Sequence, residues 1–408
     1  MSACENDDEQ FEVLEQPTQP ENPYYVPFET ALANVENLFA QEELSTRSRH
    51  IERTVESHQE YVVNRGTRSA SDSIDVKFHV INFDNNQGFA LVSADSRTTS
   101  IYAYSTTGHL DMEDAIANTG FGDFMEDATE FYKEEIINGK VIPGEPEPID
   151  TMHIKYKDIP MLPLVEIDGE EYHMAFKSDT LYNVGKMLSV EWHQDFPYNY
   201  YCPSIPSSLA SLFPDLSGKA AVGCAPLAAG QIFSYYQKPL SALGYSFDWA
   251  SIMSSPSYVA LSPASLATAH LLRAIGDTME SVYGVETSTY NSKLNAAYQS
   301  YGYMVTGPVA MSTAILNSSL ANSHPVHAIG YNGNGGHSWV IDGVISYTNT
   351  TTYYYSYPPY NMYKRSSTSS CYYHCNYGVR YLSNTWCIDA FGHFGNDKQI
   401  LYDIYPAD

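Results

Sequence analysis

Three stretches of this 408-residue chain carry side chains that can do chemistry together. The first runs Val222-Gly223-Cys224-Ala225-Pro226-Leu227-Ala228-Ala229-Gly230-Gln231. A glycine before Cys224 permits a tight backbone turn. Pro226 suits a first helical turn, where amide hydrogens lack intrahelical partners. Cys224 is therefore expected at or beside a helix N-terminus, whose free amides and dipole favour thiolate over thiol. The thiolate is the form in which cysteine attacks a carbonyl. Taken alone, a buried cysteine in an alanine-rich helix explains this stretch equally well.

The second stretch, Gly330-Tyr331-Asn332-Gly333-Asn334-Gly335-Gly336-His337-Ser338-Trp339-Val340-Ile341-Asp342-Gly343, delivers a histidine from a glycine-rich loop to the start of an apolar strand. His337 placed so can act as the general base that draws the Cys224 proton. His327 lies nearby but lacks such a loop and ranks below it. The third stretch is Glu191-Trp192-His193-Gln194-Asp195-Phe196-Pro197-Tyr198-Asn199, about thirty residues before Cys224. The Gln194 amide is a candidate oxyanion donor, beside the backbone amide of Cys224.

The elements that must position these residues follow from composition and periodicity. The formal charge is -27 and argues against nucleic acid as a partner. Residues 1–180 hold 36 acidic and 12 basic side chains, whereas residues 181–408 hold 12 and 9, so two units with different tasks are expected. Residues 1–26, rich in Glu, Gln, Pro and Asn, read as a disordered tether. Ala31, Leu32, Val35, Leu38 and Phe39 recur at helical spacing. Residues 45–72 read as a loop, 75–106 as a β-meander, and 113–138 as helix. The Pro143–Pro148 stretch marks a linker. Residues 27–140 thus form a small α+β domain, 141–180 a linker, and 181–408 a second α+β domain. Within the second, helices are expected over 223–237, 263–283 and 291–301. Strands are expected at Val305 and over 326–331, 338–346, 379–382 and 400–404.

Together these segments resemble the streptopain-like cysteine peptidases of bacteria. Trp192, Gln194, Pro197, Tyr198 and Asn199 match that family's Trp-x-Gln-x-x-Pro-Tyr-Asn stretch with one extra residue. Gly223, Cys224, Gln231 and Ile232 match its Gly-Cys-x6-Gln-Ile pattern. Phe247, Asp248 and Trp249 match its Phe-Asp-Trp, and Gly336, His337, Val340, Ile341, Asp342 and Gly343 its histidine segment. Gly88-Phe89-Ala90-Leu91-Val92-Ser93-Ala94-Asp95-Ser96-Arg97 is similar to the family's propeptide. The resemblance implies a papain-like catalytic domain behind an inhibitory propeptide with a cleavage region between them. It implies a secreted or surface-anchored zymogen that hydrolyses protein or peptide substrates without a cofactor.

The family's Asn-Trp-Gly segment near the C-terminus, whose Asn and Trp flank the histidine, has its nearest counterpart here in the stretch from Leu382 to Gly392. Asn384 or Trp386 is the expected group behind His337 or on the wall of the cleft, after a long insertion rich in Tyr, Ser and Thr. Acyl transfer to an amine is a rival chemistry for the same dyad. A catalytically decayed scaffold that binds partners through the Tyr-rich insertion is the alternative of another class. Ser2-Ala3-Cys4 resembles the end of a lipobox, so a lipid anchor at Cys4 is expected, against a chance cysteine in a tail. Cys371 and Cys375 read as free thiols or a disulfide ahead of a metal pair with His374. No metal site is expected.

Overall fold

The computed structural model describes residues 24–46, 51–63, 74–117, 119–138, 147–148, 156–162, 164–167, 170–332, 335–357, 362–380, 382, 384–390 and 398–407. Cys4 and almost all of the stretch read as a tether lie outside them. The first unit contains helix α1 (Phe28–Thr46) and strands β1 (Val55–Val62), β2 (Lys77–Phe83), β3 (Phe89–Ser93) and β4 (Ile101–Ser105), then helices α2 (Met112–Ala117) and α3 (Thr119–Asn138). The apolar stripe of α1 buries Ala31, Val35, Leu38 and Phe39, with Phe39 against Phe83 and Tyr104. Helix α3 sets Tyr132 against Phe78 and Tyr102.

Between the units lie β5 (Glu147–Pro148), β6 (Leu164–Ile167) and β7 (Glu170–Val184). The second unit has short helix α4 (Ser207–Ala210), α5 (Cys224–Tyr236), a small β8–β9 hairpin (Ser241–Ala242, Tyr245–Ser246), α6 (Trp249–Ile252), α7 (Pro263–Thr278) and α8 (Leu294–Ser300). There follow β10 (Tyr303–Ala310), α9 (Thr313–Ala321), β11 (Val326–Asn332), β12 (Gly335–Tyr355), β13 (Met362–Asn376), β14 (Thr385–Ile388) and β15 (Gln399–Pro406).

A single sheet runs through both units in the order β1-β2-β3-β4-β14-β13-β12-β11-β15-β10. The seam is the antiparallel β4–β14 pairing, Tyr104 opposite Trp386 and Ala103 opposite Cys387. One buried apolar cluster also spans the seam, from Phe78 and Leu91 to Trp339 and Ile341. Across it, Lys398 donates to Asp127, both buried, and the Tyr372 hydroxyl donates to the Ile101 carbonyl at 2.9 Å.

Three sequence readings are corrected. Residues 45–72 hold β1, a strand whose Val-Glu-Ser-His-Gln-Glu-Tyr-Val sequence is exposed along most of its length and so shows no apolar signal. Residues 141–180 are in good part strand, since β7 pairs with β12 from Tyr172 to Val184. Of residues 379–382, the described Val379, Arg380 and Leu382 lie in no strand but in a turn, with the Leu382 amide bonded to the Val379 carbonyl and the Tyr377 amide to the Leu382 carbonyl.

Candidate active site

Gly223 stands immediately before α5 at φ 97°, a conformation that disfavours any side chain, and a Cβ there would lie 2.9 Å from Thr287 Cγ2. The chain turns there and starts the helix with Cys224, half-buried at its N-terminus. Residues 225–234 of α5 are all buried, so the helix cannot shift without breaking its packing. The β11–β12 hairpin brings in His337, opposite Gly330 in register and 4% exposed.

The structure brings His337 within hydrogen-bonding reach of the Cys224 thiol. The other ring nitrogen, Nε2, donates to the Tyr377 carbonyl at 3.0 Å. A carbonyl only accepts, so Nε2 carries the hydrogen and Nδ1 is left to face the sulfur. Burial alone raises the Cys224 thiol. The bond and charge of His337, with the Ser338 and Ala225 amides, outweigh it and hold the thiol below its ordinary value. Burial likewise depresses His337, but the Cys224 bond and charge, the Tyr377 carbonyl and the Asp123 charge bring it above its ordinary value. Both shifts favour the thiolate–imidazolium pair.

Gln194 is tied to the segment that leads into Cys224: its carbonyl accepts from the Val222 amide at 3.0 Å, two residues before Cys224. Asn384 and Trp386 are not behind His337. The Asn384 carboxamide oxygen accepts from His374 Nε2 at 2.8 Å and from Lys186 at 3.0 Å, and its nitrogen donates to Thr107 of the first unit. The Trp386 ring lies 5.1 Å from that of His374. His374 Nδ1 in turn bonds Asp342, whose other oxygen accepts the Met187 and Leu188 amides. The residue behind His337 is Tyr377, in the triplet Asn376-Tyr377-Gly378. An Asn-aromatic-Gly pattern was the signal that could have found it, with Tyr where the family carries Trp.

Other singled-out residues serve the scaffold. His327 is fully buried, bonds the Tyr298 hydroxyl at 3.0 Å, and is pushed down to about 3 by burial, so it stays neutral. Asp248 caps α6, and Trp249 Nε1 donates to the Pro239 carbonyl. Tyr198 accepts the Tyr258 amide at 2.8 Å. Cys202, Cys224, Cys371, Cys375 and Cys387 are free thiols. Among the described residues no cluster of His, Cys, Asp and Glu is arranged to hold a metal.

The first unit reaches this site through the start of α3. A Cβ on Gly120 would lie 2.4 Å from His337 Cδ2, 2.9 Å from its Nε2 and 2.7 Å from Tyr377 Cδ1. The α3 backbone therefore lies directly on the imidazole, at a distance only glycine allows. Phe121 packs edge-on against the Tyr377 ring, and Asp123, one turn on, adds negative charge near His337.

A thiol beside an imidazole at a helix N-terminus, under a second domain, is the arrangement expected of a papain-like fold with a built-in cover. Comparison with known proteins agrees. The Peptidase C10 family model matches residues 192–386, and the Spi protease inhibitor model matches residues 18–131. The thiol protease/hemagglutinin PrtT of Porphyromonas gingivalis is 24% identical over 312 residues, 67% of this chain and 32% of that protein. Streptopain of Streptococcus pyogenes serotype M1 is 24% identical over 293 residues, 63% of this chain and 65% of that protein. The chain thus spans about a third and just under two thirds of the lengths of these relatives. A solved fragment of Prevotella intermedia prointerpain A shares the fold, with a TM-score of 0.51 at 16% identity, over 86% of this chain and 99% of that one. The chain is thus similar to the streptopain-like cysteine peptidases over residues 192–386, with a stretch similar to a protease inhibitor ahead of them.

Proposed function

We propose that the protein is an exported bacterial cysteine endopeptidase made as a latent zymogen, held at the cell surface by a lipid on Cys4. The observation that carries the enzymatic reading is the Cys224–His337 pair, with both protonation equilibria biased toward the ion pair and Gly120 of the N-terminal domain laid over it.

In this mechanism the Cys224 thiolate attacks the scissile carbonyl carbon. The carbonyl oxygen takes the negative charge and is held by the Cys224 backbone amide and the Gln194 carboxamide. His337, as imidazolium, gives its proton to the departing amine, and the C–N bond breaks to leave a thioester on Cys224. Neutral His337 then takes a proton from water, whose oxygen attacks the thioester carbon; the C–S bond breaks, which frees the acid and returns Cys224 as thiolate beside imidazolium His337. Tyr377 holds the imidazole in the tautomer both steps need. The covering domain keeps peptides out until the chain between the domains is cut.

Purified full-length protein is expected to lose its N-terminal domain on incubation, or after trimming by another protease, and then to cleave casein. Cys224→Ala is expected to stay full length and inert. Wild type that neither matures nor cleaves casein after trimming sinks the peptidase reading and leaves the binding-scaffold alternative.

A further inference from the structure

The Tyr377 carbonyl belongs to the same peptide unit as the Gly378 amide. That amide donates to the Asn376 side-chain oxygen at 3.1 Å. One peptide plane is therefore gripped at its N–H end by Asn376 while its C=O end faces His337 at 3.0 Å. Asn376 is itself 1% exposed and fixed on both sides of its carboxamide. Its nitrogen donates to the Val190 carbonyl at 2.9 Å, and its oxygen also accepts from Gln231 Nε2 at 3.0 Å. Gln231, equally buried, lies seven residues after Cys224 on α5, two turns along the same helical face. It also donates to the Trp192 carbonyl at 3.3 Å.

We infer that the buried amide pair Gln231–Asn376 is the positioning element of the dyad, aiming the 377–378 peptide plane so that its carbonyl fixes the His337 tautomer and direction. The hydrogen bonds form a ring: from the helix that bears Cys224, through Gln231, Asn376 and the peptide plane, to His337, and back to the sulfur. A side chain need not touch the imidazole, because a peptide plane held at one end is rigid at the other. The same pair ties in the 190–192 segment that leads to Gln194, so nucleophile, base and oxyanion donor share one anchor. The inference rests on the peptidase reading for its catalytic meaning, but not for its test.

The test is the pH dependence of Cys224 alkylation by iodoacetamide in the full-length chain, read by mass spectrometry on the Cys224 peptide. Wild type is expected to alkylate well below the pH at which an ordinary thiol does. Asn376→Leu, similar in shape but without either polar atom, is expected to move that profile toward an ordinary thiol. Its rate at pH 6 should fall on the order of 5- to 10-fold, the weight of one buried hydrogen bond. Gln231→Met, which deletes only the outer bond, should give a smaller shift in the same direction and carries the test if Asn376→Leu does not fold. The double variant should be no worse than Asn376→Leu alone, since both act through one chain of bonds. Variants that melt earlier yet keep the wild-type profile overturn the inference and leave the amides a purely structural role. An ordinary thiol profile in wild type overturns both readings. A shifted wild-type profile without casein cleavage sinks only the peptidase reading, and the variant comparison still decides the amide pair.

Discussion

Two buried histidines of this protein invite opposite conclusions from their neighbours. His374 has the more complete set of side-chain partners: Asp342 on Nδ1 and Asn384 on Nε2. His337 has a main-chain carbonyl on one nitrogen and a thiol on the other. Yet His337 faces the Cys224 thiol, and His374 holds together Asp342, the 187–188 segment and, through Asn384, Thr107 of the propeptide-like domain. A well-satisfied imidazole between fixed carboxylate and carboxamide is a structural joint. An imidazole that shares its proton with a thiol is the one prepared to move it. Partners that look like an orienting triad member therefore identify the active histidine only where a nucleophile completes the set.

The contrast can be broken most sharply by exchanging the two losses. His337→Ala should cost at least 100- to 10,000-fold in peptide hydrolysis with little change in folding, the span of general acid–base contributions. His374→Ala should leave the activity of the folded fraction within a few-fold but destabilise the fold by about 3–5 kcal/mol, because Asp342 is left buried without its partner. Chemical denaturation beside casein turnover separates the two; equal losses of activity per folded molecule would erase the distinction. Next in size is Gly120→Val. The added side chain collides with His337 and Tyr377, so the uncut zymogen should lose its latency, with activity before cleavage rising on the order of ten-fold. An uncut Gly120→Val chain as silent as wild type would mean that the cover acts elsewhere.

The smallest effect concerns the joint. Glu42 of α1 is pushed up to about 7, first by burial, while His374, Arg53 and Lys186 pull it down and Glu43 adds to the rise. Tyr104 and Tyr347 face it as well. Because its folded value lies above its unfolded 4.5, its contribution to the docked state is full below 4.5 and is lost as pH climbs through about 7. The wild-type zymogen should lose thermal stability between pH 5 and 8 more steeply than Glu42→Gln. Parallel curves would place Glu42 outside the linkage.

Much of the site could be read from the chain because its parts depend on local chemistry. Gly223 and Pro226 announce a helix start at Cys224, and the glycines before His337 announce a hairpin that presents it. The group behind His337 was harder to read, because it is a carbonyl, and every residue has one; the Asn376-Tyr377-Gly378 triplet was its one sequence signal. Asn384 and Trp386 drew attention by side-chain type, while the working feature at Tyr377 is a peptide orientation. The β1 and β7 strands were lost for a related reason. β1 is a polar edge without an apolar face, and β7 takes its order from β12, over 150 residues away, rather than from an alternating pattern of its own.

The sheet that crosses from β4 to β14 has one more consequence. The two domains are joined there by paired strands, a shared apolar cluster and a buried Lys398–Asp127 ion pair, none of which passes through the covalent connection. Severing that connection removes no contact across the seam. It replaces the high local concentration imposed by a tether with the concentration of the surroundings. A cut there would set the two domains free to part, and dilution, or destruction of the departing domain, would make the parting last.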